Sequence, residues 1–180
     1  MTTRYYTATS LDGYIADPDN SLDWLFAVAE ADDATDDVGE FLREVGALGM
    51  GATTYEWIAA NDPPGHWREN YGDRPCWVFT HRELPAIPDA NLRFVAGAVE
   101  PVHERMVAAA GERDIWIVGG GELAGRFADA GLLDEVIVGI TPVTLGGGAP
   151  LLPRRILSDR MTLVEVARMG QFAKLTYRLG

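Results

Sequence analysis

The 180-residue chain is poor in cysteine and in positive charge, and it has no long apolar run. Its single cysteine, Cys76, rules out a disulfide framework within the chain and a thiolate metal cluster. A lone thiol suits a reducing compartment. Cys76 sits in the apolar run Cys76-Trp77-Val78-Phe79 and reads as a buried strand residue rather than a nucleophile. Lys and Arg number 15 against 27 Asp and Glu, a formal net charge of -12. A nucleic-acid binder needs a basic face to neutralise phosphates, so nucleic acid is not an expected partner. Any phosphate bound here must be held locally, by backbone amides and one or two Arg.

Further absences narrow the field. No apolar stretch reaches bilayer-spanning length. The opening Met1-Thr-Thr-Arg-Tyr-Tyr lacks the apolar segment of a signal peptide, so a cytoplasmic protein with no membrane partner is expected. His66 and His103 have no partners at metal-ligand spacing, and no metal is expected. Neither an internal repeat nor a dividing linker is visible, which predicts a single domain over 1–180.

What is present alternates between strand and helix. Strands are expected at Tyr5–Thr9, Ala47–Gly51, Trp77–Thr80, Leu92–Ala96, Ile115–Val118 and Glu135–Thr141. Tyr14–Ala16 is a short extended piece between the turns Ser10–Gly13 and Asp17–Asn20. A short helix begins at Asp23. Helical spacing covers Val38–Val45, Val99–Ala110 with Pro101 in the first turn, and Glu122–Ala130. Asp32–Asp37 reads as acidic loop, and Asn61–Pro75 and Thr144–Pro153 as Gly- and Pro-rich loop. Thr53 with Glu56 fits a capping box and predicts a helix start at Thr53. Leu163–Ala167 and Phe172–Leu179 read as a closing antiparallel hairpin. The pattern is an α/β sandwich with a mixed, mostly parallel sheet.

Three strand ends carry chemistry. Ile115-Trp-Ile-Val runs straight into Gly119-Gly120-Gly121 and a helix start. Glycines let a ligand approach the backbone, and the helix N-terminus favours an anion such as pyrophosphate. The G-x-G-x-x-G/A spacing of Gly119, Gly121 and Ala124 is formally met. Yet Asp134 and Glu135 begin the next strand instead of ending it, so this is not the Rossmann arrangement. Gly51-Ala52-Thr53-Thr54 is a second strand-to-helix junction whose amides and hydroxyls suit a phosphate, although capping also explains Thr53. Thr80-His81-Arg82 offers a hydroxyl, an imidazole and a guanidinium, suited to a phosphate monoester or to an ordinary polar strand end.

Five motifs in order resemble the dihydrofolate reductase superfamily, above all the reductase domain of bifunctional riboflavin-biosynthesis deaminase-reductases and its stand-alone relatives. They are Ser10-Leu-Asp-Gly13, Gly51-Ala-Thr-Thr-Tyr-Glu56, Val78-Phe-Thr-His-Arg82, Val118-Gly-Gly-Gly-Glu-Leu123 and Pro142-Val-Thr-Leu-Gly-Gly-Gly148. The resemblance implies a three-layer sandwich that binds NADPH and reduces a small heterocyclic or carbonyl substrate, pteridine-like or ribosylamino-pyrimidine-like. It implies Ala8, Ile15 and Ala16 beside the nicotinamide. Gly51, Thr53, Thr54, Thr80, His81 and Arg82 would face the adenosine phosphate side. Val118, Gly119, Gly120, Gly121, Glu122 and Leu123 would wrap the pyrophosphate. Relatives commonly carry Arg where this chain has Ala52, which removes a charge from the 2′-phosphate side: either Arg82 compensates or the preference for NADPH over NADH is weak. Relatives are often dimers, so a homodimer is expected. No His-x-Glu with Pro-Cys-x-x-Cys is present, which excludes the zinc deaminase reaction.

For the chemistry itself, Asp12 is the candidate to orient substrate or organise a water; a simple Asx turn before Gly13 is the other reading. Asp23 could contact substrate or cap a helix. Trp24, Tyr55, Trp57 and Trp67 could line a pocket for a planar heterocycle or serve as core. The alternative to an enzyme is a non-catalytic dinucleotide- or flavin-binding sensor of the same fold.

Overall fold

The computed structural model describes residues 1–63 and 65–180. Its strands are β1 (Thr3–Thr9), β2 (Tyr14–Ala16), β3 (Val45–Gly51), β4 (Cys76–Phe79), β5 (Leu92–Val95), β6 (Asp114–Gly119), β7 (Glu135–Ile140), β8 (Ala149–Pro150), β9 (Met161–Met169) and β10 (Phe172–Leu179). Its helices are α1 (Asp23–Phe26), α2 (Asp32–Glu44), α3 (Ala52–Asn61), α4 (His66–Tyr71), α5 (Glu100–Ala110) and α6 (Gly121–Asp129). Eight strands form one sheet in the order β5-β4-β3-β6-β1-β7-β10-β9. The strands from β5 to β7 pair in parallel; β10 and β9 close the sheet antiparallel.

Burial explains the strand sequences. Val45 to Met50 and Cys76 to Phe79 are buried throughout, as strands covered on both faces must be. One core gathers Tyr5, Ile115, Ile117, Met106 and Phe127 between the sheet and α5 and α6. The other gathers Tyr6, Phe41, Met50, Tyr55, Trp67 and Trp116 beneath α2, α3 and α4. The result is a three-layer sandwich of dihydrofolate reductase type, with the mixed sheet and terminal antiparallel hairpin that the sequence predicts.

Four local readings are corrected. Helix α2 begins at Asp32, not Val38: Asp32 and Asp33 occupy its first turn, where acidic side chains favour the helix dipole. Part of the Asn61–Pro75 loop is the helix α4, anchored by the buried Trp67; Pro64 lies outside the described residues. The stretch Thr144–Pro153 contains β8, paired with β2 in a second small sheet. Helix α3 starts at Ala52 behind Gly51, with no side-chain cap bond, so the Thr53–Glu56 capping box does not form.

Because the strands from β5 to β7 run parallel, their C-terminal ends share one edge. Helices α3 and α6 leave that edge directly after β3 and β6, which are neighbours in the sheet. Among the described residues no helix is long and apolar enough to cross a membrane.

Candidate active site

The two glycine junctions meet. An ideal Cβ placed on Gly51 would lie 3.7 Å from the Gly120 nitrogen and 3.9 Å from the Gly119 oxygen. Gly51 and Gly120 are the N-cap residues of α3 and α6, both extended, and no side chain caps either helix. The first-turn amides of an uncapped helix have no intrahelical acceptor, so each start offers donors and the positive end of a helix dipole. The three consecutive glycines differ in surroundings. A Cβ on Gly119 would sit 3.0 Å from Thr54 Oγ1. A Cβ on Gly121 would collide with the Pro150 and Leu151 carbonyls, so α6 packs tightly on β8. Gly120 has room, its nearest neighbour being Ile15 Cδ1 at 3.8 Å. The Gly119–Gly120 peptide is cis.

This corner opens into a cleft of about 710 Å³. The structure brings Ile15, Ala16, Gly51, Thr53, Thr54, Trp57, Val118, Gly119, Gly120, Gly121, Glu122 and Leu123 into its lining. It also adds residues that the sequence reading missed: Thr7, Asn20, Leu22, Ile58, Tyr71, Phe79 and Arg126. Arg126 was findable. It lies one turn beyond Glu122 on α6 and so shares its stripe. Its guanidinium donates to the Gly97 carbonyl and lies 5.9 Å from the Phe79 ring centre.

The electrostatics favour an anion at α6. A free carboxylate at Glu122, in the first helical turn, would repel one. Arg154 neutralises it with two hydrogen bonds of 2.9 and 2.8 Å, and this pairing holds the Glu122 carboxyl below its usual range. Arg154 also reaches Asp129 at 2.7 Å. Arg126 remains the basic side chain in the cleft lining.

Other sequence candidates lie outside that lining. Ala8 is a half-buried residue of β1; after β4 comes the half-buried Thr80, and His81 and Arg82 form an exposed bend. Arg82 forms a bidentate pair with Glu56 at 2.9 and 2.7 Å. Tyr55 is fully buried, its hydroxyl donating to the Pro85 carbonyl at 2.6 Å. Trp67 is core. Trp24 donates to the Ser21 carbonyl, and Asp23 is exposed in the first turn of α1 behind Leu22. Asp12 accepts from Ser10 Oγ at 2.6 Å and from the amides of Leu145 and Gly146. These bonds push its carboxyl down to about 2, so it is ionised at neutral pH and has no proton to give.

His103 Nε2 shares a hydrogen bond with Thr3 Oγ1, and His66 faces Glu69. Among the described residues no group of three or more His, Cys, Asp or Glu could hold a metal ion.

A mixed sheet with two uncapped helix starts meeting at its parallel edge defines a sandwich of the dihydrofolate reductase type. The chain belongs to the RibD C-terminal domain family, whose profile matches residues 2–175. It is 32% identical to the Bacillus subtilis (strain 168) protein YwjB over 176 residues, 97% of this chain and 96% of that one. Against the riboflavin biosynthesis protein RibD of Haemophilus influenzae it is 30% identical over 114 residues, 57% of this chain and 30% of that one. Among solved structures, one from Shewanella sp. PV-4 named for riboflavin biosynthesis superposes with a TM-score of 0.83 at 27% identity, covering 100% of this chain and 99% of that one. The Enterococcus faecalis dihydrofolate reductase complexed with NADP(H) superposes at 0.62 with 16% identity, over 99% and 96% of the two chains, a likeness of fold.

Proposed function

We propose that the chain is an NADPH-dependent reductase that passes a hydride to a small heterocyclic or carbonyl acceptor. The observation that carries this reading is the meeting of the uncapped α3 and α6 starts at Gly51 and Gly120 within one cleft. A diphosphate bridge needs several donors converging on one point, and two helix N-termini supply them without side-chain charge. The residues present fit a dinucleotide. The amides of Gly120 to Leu123 and of Ala52 to Thr54 would hold the pyrophosphate. Ile15, Ala16 and the neighbouring Ala8 would lie beside the nicotinamide, and Arg126 with Thr80, His81 and Arg82 toward the adenosine phosphates.

Bound NADPH supplies the hydride. The chain supplies position and dryness: Ile15, Trp57, Ile58 and Leu123 wall the cleft with apolar surface, which excludes water from the transfer. Asp12 acts through the loops it joins, orienting the wall that carries Ile15 and Ala16. A cytoplasmic homodimer is part of this reading. The exposed Leu163, Val164 and Val166 on the edge strand β9 support that assembly, which sedimentation velocity tests.

One observation favours the sensor reading. Among the described residues lining the cleft, the only carboxylic acid is Glu122, and Arg154 holds it. A reductase must then draw its proton from water. Turnover separates the two readings. Oxidation of NADPH, followed by absorbance against a panel of dihydropteridine, ribosylamino-pyrimidine and quinone acceptors, is the expected result. NADPH binding without oxidation across the panel would make the protein a sensor. Cofactor at a hundredfold over its Kd should stabilise the fold by about 2.7 kcal/mol, and no stabilisation at all would remove both readings.

A further inference from the structure

The cleft spans both faces of the sheet, and its two halves differ in charge. On one side stand Phe79 and Leu123, members of the α5/α6 core, together with Arg126. On the other side stand Trp57, Ile58 and Tyr71, which pack on the core beneath α2, α3 and α4. Arg126 is the one basic side chain among the described residues lining the cleft. The anion-holding groups are its guanidinium and the amides of the α6 and α3 starts, which meet where Gly51 approaches Gly120; Trp57 and Ile58 lie more than a turn further along α3. The second half presents neutral polar groups: the Asn20 amide and the Tyr71 hydroxyl, which burial and the nearby Asp62 keep protonated.

The second half also has a flat wall. The Trp57 ring stacks on Phe26, with centroids 6.1 Å apart and planes at 21°. Phe26 is 68% exposed, so it braces Trp57 from the solvent side. A braced indole, with Ile58 beside it, suits a flat π-system.

We propose that this half of the cleft takes an unphosphorylated planar heteroaromatic acceptor stacked on Trp57, and that it discriminates against phosphate esters. The proposal rests on the reductase reading and narrows its substrate class. A phosphate dianion placed among Trp57, Ile58 and Tyr71 would lose hydration with no cation to replace it. The overall charge of -12 adds to the penalty.

Two probes that differ by a single phosphate test this: 7,8-dihydroneopterin and its 3′-phosphate, each titrated by calorimetry into the NADPH-saturated protein. The free pteridine should bind at least about tenfold tighter than the ester, because a desolvated, unpaired phosphate is so costly. Trp57→Ala should weaken the free pteridine about tenfold and Trp57→Phe by no more than about threefold, as expected for loss or retention of an aromatic wall. Leu22→Arg, which puts a cation at the rim of this half, should raise the affinity of the ester. Equal or tighter binding of the ester by the unmodified protein, binding of neither pteridine, or indifference to Trp57→Ala would each overturn the proposal. NADPH titrated alone reports on the underlying reading. No cofactor binding would sink the reductase, whereas tight NADPH binding with equal pteridine affinities would sink this inference alone.

Discussion

The Asp12 carboxylate holds the Gly146 amide at 2.7 Å and, through the adjoining Leu145 amide at 3.0 Å, clasps two loops far apart in the chain. These loops lead into β2 and β8, the small sheet that carries Ile15, Ala16, Ala149 and Pro150 to the cleft. Asp12→Asn should therefore act through order. Amide hydrogen exchange at Leu145 and Gly146 should quicken, and NADPH affinity should fall several-fold as the wall loosens. The pH dependence follows from the carboxyl being held at about 2, below its unfolded value near 3.8. The stability it contributes is fully present above the unfolded value and is lost as pH falls through the folded one. Across about pH 5 to 8 the native protein should thus show no titration of Asp12 in its activity profile. An acidic limb in that window that vanishes in Asp12→Asn would make Asp12 a proton donor after all.

Gly120 and Gly121 should respond oppositely to substitution. Gly120 has room for a Cβ at ordinary contact distance and extended dihedrals, so Gly120→Asp should fold normally while placing bulk and negative charge where the diphosphate would lie. Calorimetry should show no measurable NADPH binding and thermal unfolding little change. Gly121→Ala forces a methyl against the Pro150 and Leu151 carbonyls. It should cost about 1–3 kcal/mol of stability, as overpacking does, with unfolding at lower temperature. Unchanged NADPH affinity in folded Gly120→Asp would remove the glycine corner as the cofactor site.

The legible parts of the fold were those written in local pattern. The fully apolar Ile115 to Val118 reads as a central strand because both of its faces are covered, and the triple glycine marks the junction that follows. Acidity misled where helix position mattered more than polarity: Asp32 and Asp33 favour a helix start although they look like loop. In α4 one buried indole, Trp67, outweighs the flanking Pro and Gly, and tertiary burial of that kind has no local signature. At the cleft the glycines and Thr54 were visible as motif. Phe79 lay in one of the five motifs without a role there, and Tyr71 in none, because their part in the cleft comes from which strands and helices become neighbours; Arg126 was signalled only by its helical spacing from Glu122. Tyr55 shows the converse, a motif residue whose hydroxyl is spent inside the core on Pro85.

Cys76 should be silent in the native protein. It is fully buried in β4, and burial pushes its thiol above the ordinary range. Reaction with a disulfide reagent at neutral pH should proceed only as fast as the chain opens, and at once in guanidinium. Cys76→Ser should destabilise by about 1–3 kcal/mol by burying a hydroxyl without a designed partner. Rapid labelling of the folded protein, with activity lost in step, would instead make the thiol a functional group.

Arg82 and Glu56 form a closed pair, and this has a consequence for cofactor choice. If Arg82 is to hold the 2′-phosphate of NADPH, the phosphate must compete with the Glu56 carboxylate for the same guanidinium. Both side chains are substantially exposed, so the pair itself is worth little and the competition is winnable. Arg82→Ala should weaken NADPH roughly five- to tenfold, in keeping with an exposed charge-assisted contact, and leave NADH nearly unchanged. Glu56→Gln should have the opposite sign, raising NADPH affinity by roughly two- to fivefold because the guanidinium is freed. Calorimetric titrations of both cofactors against the two variants decide the matter. Losses that fall equally on NADPH and NADH in Arg82→Ala, or no gain in Glu56→Gln, would move the 2′-phosphate contact to Arg126, whose guanidinium already stands in the cleft.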